Sequence, residues 1–132
     1  MTALLSVQNL SVSFTTYGRR VEVLKSVSLD VPEGAQIALV GESGSGKSVT
    51  MKTIMGILPQ PPAKIDGGAI FFDGRDLLTL PERERLKLRG TAMSMVFQDP
   101  MSSLNPVFTI YDQLGTILKY ADRRLGRNRS GK

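Results

Sequence analysis

At 132 residues, with 41% hydrophobic residues and no cysteine, the chain is long enough for one α/β domain and has no disulfide framework. No uncharged apolar run reaches about 18 residues, so the sequence predicts no membrane-spanning helix. The net charge of +5 arises because residues 123–132 hold five of the 17 basic side chains, and a surplus confined to one end is typical of a solvated tail rather than a nucleic-acid site.

Two segments near the N-terminus alternate apolar and polar residues, the pattern of strands that bury one face. The first comprises residues 5–14 and the second residues 21–29, and the polar residues 15–20 between them fit a hairpin connection. We therefore predict two paired antiparallel strands. The mostly apolar run at residues 35–40 then predicts a short strand buried on both faces.

Residues 41–48 read G-E-S-G-S-G-K-S and match the phosphate-binding pattern G-x-x-x-x-G-K-[ST]. We expect the three glycines to adopt positive φ and to turn successive backbone N–H groups inward, which makes a concave site for an anion. Lys47 can then reach the β- and γ-phosphates, and the Ser48 hydroxyl is placed to bind Mg²⁺. The predicted nucleotide contacts in this loop are Gly41, Glu42, Ser43, Gly44, Ser45, Gly46, Lys47, Ser48 and Val49.

A glycine-rich turn followed by Lys-Ser through chance is the alternative interpretation of this loop. The surrounding sequence disfavours it, because an apolar run of strand length precedes the loop and apolar residues recur at helical spacing after it. Those residues are Met51, Ile54, Met55 and Leu58. Strand, loop and helix is the setting that a phosphate loop requires, so the sequence predicts a nucleotide site.

The rest of the chain shows short strands, turns and helices without an internal repeat. Residues 67–74 predict a strand that closes in a turn, and residues 81–89 predict a short helix that begins at a proline. Residues 91–97 predict another apolar strand. Apolar positions between residues 110 and 118 predict an amphipathic helix, and the pattern is lost beyond Tyr120.

Two further stretches accompany the phosphate loop: V-F-Q-D-P at residues 96–100 and M-S-S-L-N-P at residues 101–106. With them the chain resembles the nucleotide-binding subunits of ABC transporters, above all the importers of dipeptides, oligopeptides and nickel. The resemblance covers only the N-terminal half of such a subunit. It implies an α/β fold, the N-terminal part of a P-loop NTPase (an ABC nucleotide-binding domain), with an antiparallel β subdomain and an incomplete parallel core sheet. Residues 1–120 would form this partial domain and residues 121–132 a basic, disordered tail.

The resemblance also assigns roles to individual residues. Gln98 would be the glutamine that meets Mg²⁺ and water, so Ser48 and Gln98 are the implied metal contacts and ATP and Mg²⁺ the implied cofactors. Phe14 falls where the family places an aromatic side chain against adenine, with Tyr17 as the second candidate. Residues 102–106 would belong to the surface that receives a coupling helix of the transporter.

Several motifs of complete family members are missing from this sequence. It has no L-S-G-G-Q signature, no Walker B strand with a catalytic glutamate, and no histidine that could serve as the switch residue. We therefore expect the chain to bind Mg-ATP but not to hydrolyse it alone, and we interpret it as a truncated or frameshifted gene product. Whether it acts as an enzyme stays open at this point.

The resemblance predicts the ATP-binding, energy-coupling component of an importer for peptides or related solutes. Its partners would be membrane-spanning permease subunits and a second ATP-binding subunit, and its place the cytoplasmic face of the cell membrane as a peripheral protein. One alternative is a non-catalytic remnant that binds nucleotide weakly or only contacts membrane subunits. Another is a different phosphate-loop protein, such as a small kinase or a soluble ABC protein of DNA repair.

Overall fold

The computed structural model describes residues 3–99 and 101–129, and for Ser102 and residues 121–129 it describes the backbone only. The chain divides into two compact units, Met1–Ser94 and Met95–Lys132, a division that differs from the boundary predicted at residue 120. Within the described residues, no helix combines the length and the apolar character needed to cross a membrane.

The first unit contains one four-stranded antiparallel sheet in the order β2-β1-β3-β4. Its strands are β1 (Ala3–Thr16), β2 (Arg19–Pro32), β3 (Ala63–Phe72) and β4 (Arg75–Asp76). The hairpin predicted from the first two alternating segments is confirmed, and its turn lies at Tyr17 and Gly18, which have φ values of 48° and 74°. The strand and turn predicted at residues 67–74 are also confirmed, although β3 begins earlier than expected.

The core of the first unit gathers side chains from the sheet, from the helix after the phosphate loop and from the connections around them. Its buried apolar members are Val7, Leu10, Val12, Leu24, Ile54, Leu58, Ala63, Ile70 and Leu77. Val7 and Leu10 both point inward because β1 bulges at Asn9, which has a φ of 47° and shifts the alternation by one residue. Gly68 of β3 faces this bulge, where a Cβ atom would lie 2.6 Å from the carbonyl oxygen of Gln8.

Helix α1 spans Lys47–Ile54, and Gly56, two residues beyond its end, has a φ of 64°. The N–H groups of Gly56 and Ile57 donate to carbonyls of the last helical turn, the pattern of a Schellman motif. Gly56 therefore terminates α1. A second helix, α2 (Glu82–Leu88), matches the predicted short helix, and Arg89 just beyond it donates to the carbonyls at the end of α1.

Two strands predicted from apolar runs are absent from the described structure, so these predictions are wrong. Residues 35–40 have no regular secondary structure, and Val40 is 90% exposed. Residues 91–97 contain no strand, and Met93 makes a single bridge with Arg89. An apolar run indicates a need for burial, but a strand forms only where a neighbour can pair its N–H and C=O groups. Neither run has such a neighbour among the described strands, and the predicted parallel core sheet is not confirmed.

The second unit contains a short 3₁₀ helix at Met101–Ser103 and helix α3 at Ile110–Arg129. The amphipathic helix predicted between residues 110 and 118 is therefore confirmed. Thr109 caps its first turn, because the Thr109 hydroxyl accepts the N–H of Asp112 at 3.1 Å and donates to the Asp112 carboxylate at 2.6 Å.

The backbone of α3 continues past Tyr120, the residue at which the sequence pattern is lost. Residues 121–129 are thus helical in the structure, whereas the sequence predicts a disordered tail there. Residues 130–132 of that tail, and Pro100 of the V-F-Q-D-P stretch, lie outside the described residues.

Candidate phosphate-binding site

The phosphate loop runs from Gly41 to Gly46 and leads directly into α1. Within it, the N–H of Ser45 donates to the carbonyl of Glu42 at 3.2 Å, which closes a tight turn. Gly44 and Gly46 have φ values of 81° and 95°, in the region that favours glycine. The predicted positive φ is therefore confirmed at two of the three glycines.

Gly41 is the exception, because its φ lies outside the left-handed region, and the prediction for this glycine is wrong. What the structure shows at Gly41 is a close approach of the Ser45 side chain. A Cβ atom at Gly41 would lie 2.7 Å from Oγ of Ser45 and 3.8 Å from Nζ of Lys47. A side chain at this position would therefore require the exposed Ser45 hydroxyl to move, whereas Lys47 Nζ would be at an ordinary contact distance.

Lys47 brings its positive charge back onto the loop that precedes it. Its Nζ donates to the carbonyls of Gly41 and Glu42, the latter at 2.6 Å, and lies 3.1 Å from Oγ of Ser45. An ammonium group has three N–H donors, and these three acceptors match that number. The charge is thus held at the loop by neutral oxygen atoms, which a phosphate oxygen can replace.

The first turn of α1 presents backbone N–H groups to the loop. The first amide to bond within this turn is that of Thr50, which donates to the carbonyl of Gly46 at 2.8 Å, and no side chain caps the helix. Helix geometry therefore leaves the N–H groups of Lys47, Ser48 and Val49 without an intrahelical partner. The first turn contains no acidic residue, and the helix dipole adds positive potential at the same point. This arrangement suits an anion with several oxygen atoms.

Two residues outside the motif support the loop, and the sequence analysis missed both. Leu24 of β2 packs so closely on Gly46 that a Cβ atom there would lie 2.6 Å from Cδ2 of Leu24. The hydroxyl of Thr50 donates to the carbonyl of Gly46 at 2.9 Å. The spacing of four residues between Gly46 and Thr50 is a usable signal for such a bond, whereas no local pattern reveals the contact with β2.

The predicted adenine contact, Phe14, lies in β1 and is half-buried against the core. Its cross-strand neighbours are Val21 of β2 and Ala63 of β3. Tyr17, the second candidate, is fully exposed at the turn between β1 and β2. Phe14 and Tyr17 share the first unit with the phosphate loop, and their role toward adenine stays a prediction.

The predicted metal contacts, Ser48 and Gln98, lie in different units. The Ser48 hydroxyl is exposed and makes no hydrogen bond to the described residues. Gln98 is exposed in a bend of the second unit. No group of three or more His, Cys, Asp or Glu side chains in the described part of the chain could hold a metal ion. Mg²⁺ in phosphate-loop proteins is held by the Ser or Thr hydroxyl of the loop, by a Walker B aspartate and by the nucleotide itself, and Ser48 fits the first of these ligands.

Comparison with known proteins identifies one matching family model and several similar proteins. The model of the ABC transporter family matches residues 24–131. The dipeptide transport ATP-binding protein DppD of Bacillus subtilis is 52% identical over 118 residues, covering 89% of this chain and 35% of the relative. The oligopeptide transport ATP-binding protein OppD of the same organism is 45% identical over 118 residues, covering 89% and 33%.

A third relative is the peptidoglycan transport ATP-binding protein YejF of Agrobacterium fabrum. It is 52% identical over 116 residues, which cover 88% of this chain and 21% of the relative. The chain thus spans between about a fifth and about a third of the length of these relatives.

Proposed function

The chain belongs to the ABC transporter family, and from this we propose that it is the ATP-binding, energy-coupling component of an importer for peptides or related solutes. The observation that carries the proposal is the loop at residues 41–48, where unpaired helix amides and the Lys47 ammonium converge. Residues 1–120 supply the partial ATP-binding domain in this proposal.

The polyphosphate of ATP binds across the N–H groups of Lys47, Ser48 and Val49. Lys47 exchanges one or more of its bonds to the Gly41 and Glu42 carbonyls for bonds to the β- and γ-phosphates. The exchange is favourable because a bond between two charged groups is stronger than one to a neutral carbonyl. The Ser48 hydroxyl oxygen would be a ligand of Mg²⁺, and the bound ion would neutralise charge on the β- and γ-phosphates.

In this proposal Phe14 stacks on adenine and Gln98 contacts Mg²⁺ and water. The partners are membrane-spanning permease subunits and a second ATP-binding subunit, and the protein is peripheral at the cytoplasmic face of the membrane. The names of the relatives support the role in transport, since each is a transport ATP-binding protein.

We further propose that this stretch of chain binds ATP without turning it over. Two acidic residues after Gln98 have described side chains, and both are engaged in local structure. Asp99 accepts the N–H of Met101 at 3.0 Å, and Asp112 accepts the Thr109 hydroxyl at the start of α3. Neither follows a strand, which is where the family places its Walker B aspartate and catalytic glutamate, so hydrolysis depends on other groups of a complete subunit.

The exposed apolar surface of the second unit favours one alternative, a non-catalytic fragment that only contacts membrane subunits. Val96, Met101 and Tyr111 are 95%, 84% and 85% exposed. Exposed apolar residues in such number are typical of an interaction surface. Nucleotide titration separates the two functions, because the alternative requires no ATP affinity at the phosphate loop.

The experiment is a calorimetric titration of the purified chain with Mg-ATP, alone and as Lys47→Ala. We expect Lys47→Ala to weaken ATP binding by about 10- to 100-fold, the range that a hydrogen bond to a charged group supports. Lys52→Ala is the matched control, because Lys52 lies in the last turn of the same helix, and its ATP affinity should equal that of the unmodified chain. An unmodified chain that does not bind ATP, or equal affinities of the Lys47 and Lys52 variants, would contradict the proposal.

A further inference from the structure

We infer that Thr50 is a positioning residue for the phosphate loop, and that its side-chain hydroxyl holds the peptide between Gly46 and Lys47 in the orientation that binds phosphate. The inference rests on the proposed nucleotide-binding function and adds to it a residue that lies outside the G-x-x-x-x-G-K-[ST] pattern.

The carbonyl of Gly46 receives two hydrogen bonds from one residue. The backbone N–H of Thr50 donates to it at 2.8 Å, and the Thr50 hydroxyl donates to it at 2.9 Å. Thr50 is 3% exposed, so water does not compete effectively for this carbonyl. The oxygen of Gly46 is thus fixed along the axis of α1, pointing into the helix.

The direction of this carbonyl determines where the next amide points. In a trans peptide the C=O and N–H groups point in opposite directions, so a Gly46 carbonyl aimed into α1 aims the Lys47 N–H out of the helix and toward the loop. That N–H is one of the three that helix geometry leaves unpaired for a phosphate. Rotation of this peptide would replace an N–H donor with a carbonyl oxygen, which repels an anion.

Such a rotation changes ψ of Gly46 and φ of Lys47, and a glycine offers it little intrinsic resistance. The φ of 95° at Gly46 is accessible because this residue has no Cβ, and glycine populates positive and negative φ about equally. Leu24 and the Val23 carbonyl confine the Cα atom of Gly46 from one side, but neither bonds its carbonyl. The two bonds from Thr50 are therefore the restraint on the peptide orientation itself.

Thr53 provides an internal comparison, because it has the same residue type, burial and bond in the same helix. It is 3% exposed, and its hydroxyl donates to the Val49 carbonyl at 2.7 Å, four residues earlier. The Val49 carbonyl lies inside the helix, where the peptide orientation is already fixed by regular helical bonding. Loss of the Thr53 hydroxyl should therefore affect stability alone, whereas loss of the Thr50 hydroxyl should affect stability and phosphate affinity.

The experiment uses calorimetric titration with Mg-ATP and, separately, with inorganic triphosphate, which isolates the loop from any adenine contact. The variants are Thr50→Val, Thr50→Ser and Thr53→Val, each compared with the unmodified chain. Valine keeps the shape of threonine and removes the hydroxyl, while serine keeps the hydroxyl and removes the methyl group. Urea unfolding of each variant measures stability in parallel.

We expect Thr50→Val to bind both ligands about three- to tenfold more weakly, the factor that one ordinary hydrogen bond supports. Thr50→Ser and Thr53→Val should bind within about twofold of the unmodified chain. If Thr50→Val binds as the unmodified chain does, or if Thr53→Val loses affinity equally, the inference is wrong although the proposed function stands. If the unmodified chain binds neither ligand, the proposed function itself fails, and Thr50 has no phosphate site to position.

Discussion

The contact between Gly46 and β2 makes a quantitative prediction about a single methyl group. In Gly46→Ala the added Cβ would lie 2.6 Å from Cδ2 of Leu24 and 3.4 Å from the Val23 carbonyl, on a residue whose φ is 95°. Two independent costs result: a left-handed backbone that L-residues disfavour, and a steric overlap with a buried side chain. The two can be measured separately.

The backbone cost is about 1–2 kcal/mol, and overpacking of a buried contact costs about 1–3 kcal/mol. Gly46→Ala should therefore lower the free energy of unfolding by about 2–5 kcal/mol. Gly44→Ala is the matched control, because Gly44 has a similar φ of 81° but no atom within 4 Å of its Cβ position. It should show the backbone cost alone, about 1–2 kcal/mol.

Leu24→Val removes the overlapping Cδ2 atom and therefore tests the steric cost directly. This substitution deletes one carbon from a side chain that is 3% exposed, and by itself it should cost about 1 kcal/mol. In the Leu24→Val background, Gly46→Ala should lower the free energy of unfolding by the backbone cost alone. The effects of the two substitutions on that free energy should therefore differ from additivity by about 1–3 kcal/mol. Gly44→Ala should show no coupling to Leu24→Val.

The assay is urea unfolding followed by far-ultraviolet circular dichroism, which gives the free energy of unfolding for each single and double variant. Equal losses in Gly46→Ala and Gly44→Ala would refute the steric argument. Additive losses in the double variant of Gly46 and Leu24 would refute it as well, since no overlap would then have been relieved. Either result would mean that β2 does not hold the phosphate loop as described.

Two further predictions concern side-chain networks away from this contact. Hydrogen bonds from the Ser13 hydroxyl and from Arg20, whose guanidinium lies 2.8 Å from the carboxylate, hold the pKa of Asp66 below its ordinary value. Its contribution to stability should therefore be full above about pH 4 and be lost as pH falls through the lowered pKa, and Asp66→Asn should flatten this acid dependence in unfolding curves. Gln113→Ala should speed amide hydrogen exchange at Asn105, whose N–H donates to Oε1 of Gln113 at 2.9 Å, and unchanged exchange there would show that this bond does not protect the loop.

The parts of the fold that the sequence predicted are those that local pattern determines. The β1–β2 hairpin follows from alternation over two adjacent segments, and α1 follows from apolar residues at helical spacing after the loop. The phosphate loop follows from glycine and lysine at fixed spacing, because few other residues allow its φ values. In each case the cause and the structure lie within a few residues of each other.

The parts that the sequence did not predict depend on partners far along the chain. The run at residues 35–40 shows a need for burial, but whether it becomes a strand depends on neighbours that no local pattern reveals. The motif likewise requires glycine at position 41 without showing that Ser45 Oγ would lie 2.7 Å from a Cβ atom there. A simple alternation of apolar and polar residues likewise does not predict the bulge at Asn9, which determines which side chains of β1 point inward.

The phosphate loop is held in place by contacts with parts of the chain that are not adjacent to it on its N-terminal side. In the described structure the residues before the loop form no strand, yet Gly44 and Gly46 have positive φ and Lys47 lies on the loop carbonyls. The contacts that support the loop must therefore come from parts of the chain other than the segment that precedes it. They come from Leu24 of β2, which packs on Gly46, and from Thr50 of α1, which bonds its carbonyl. The geometry of the loop is thus fixed by the antiparallel sheet and by the helix that follows the loop.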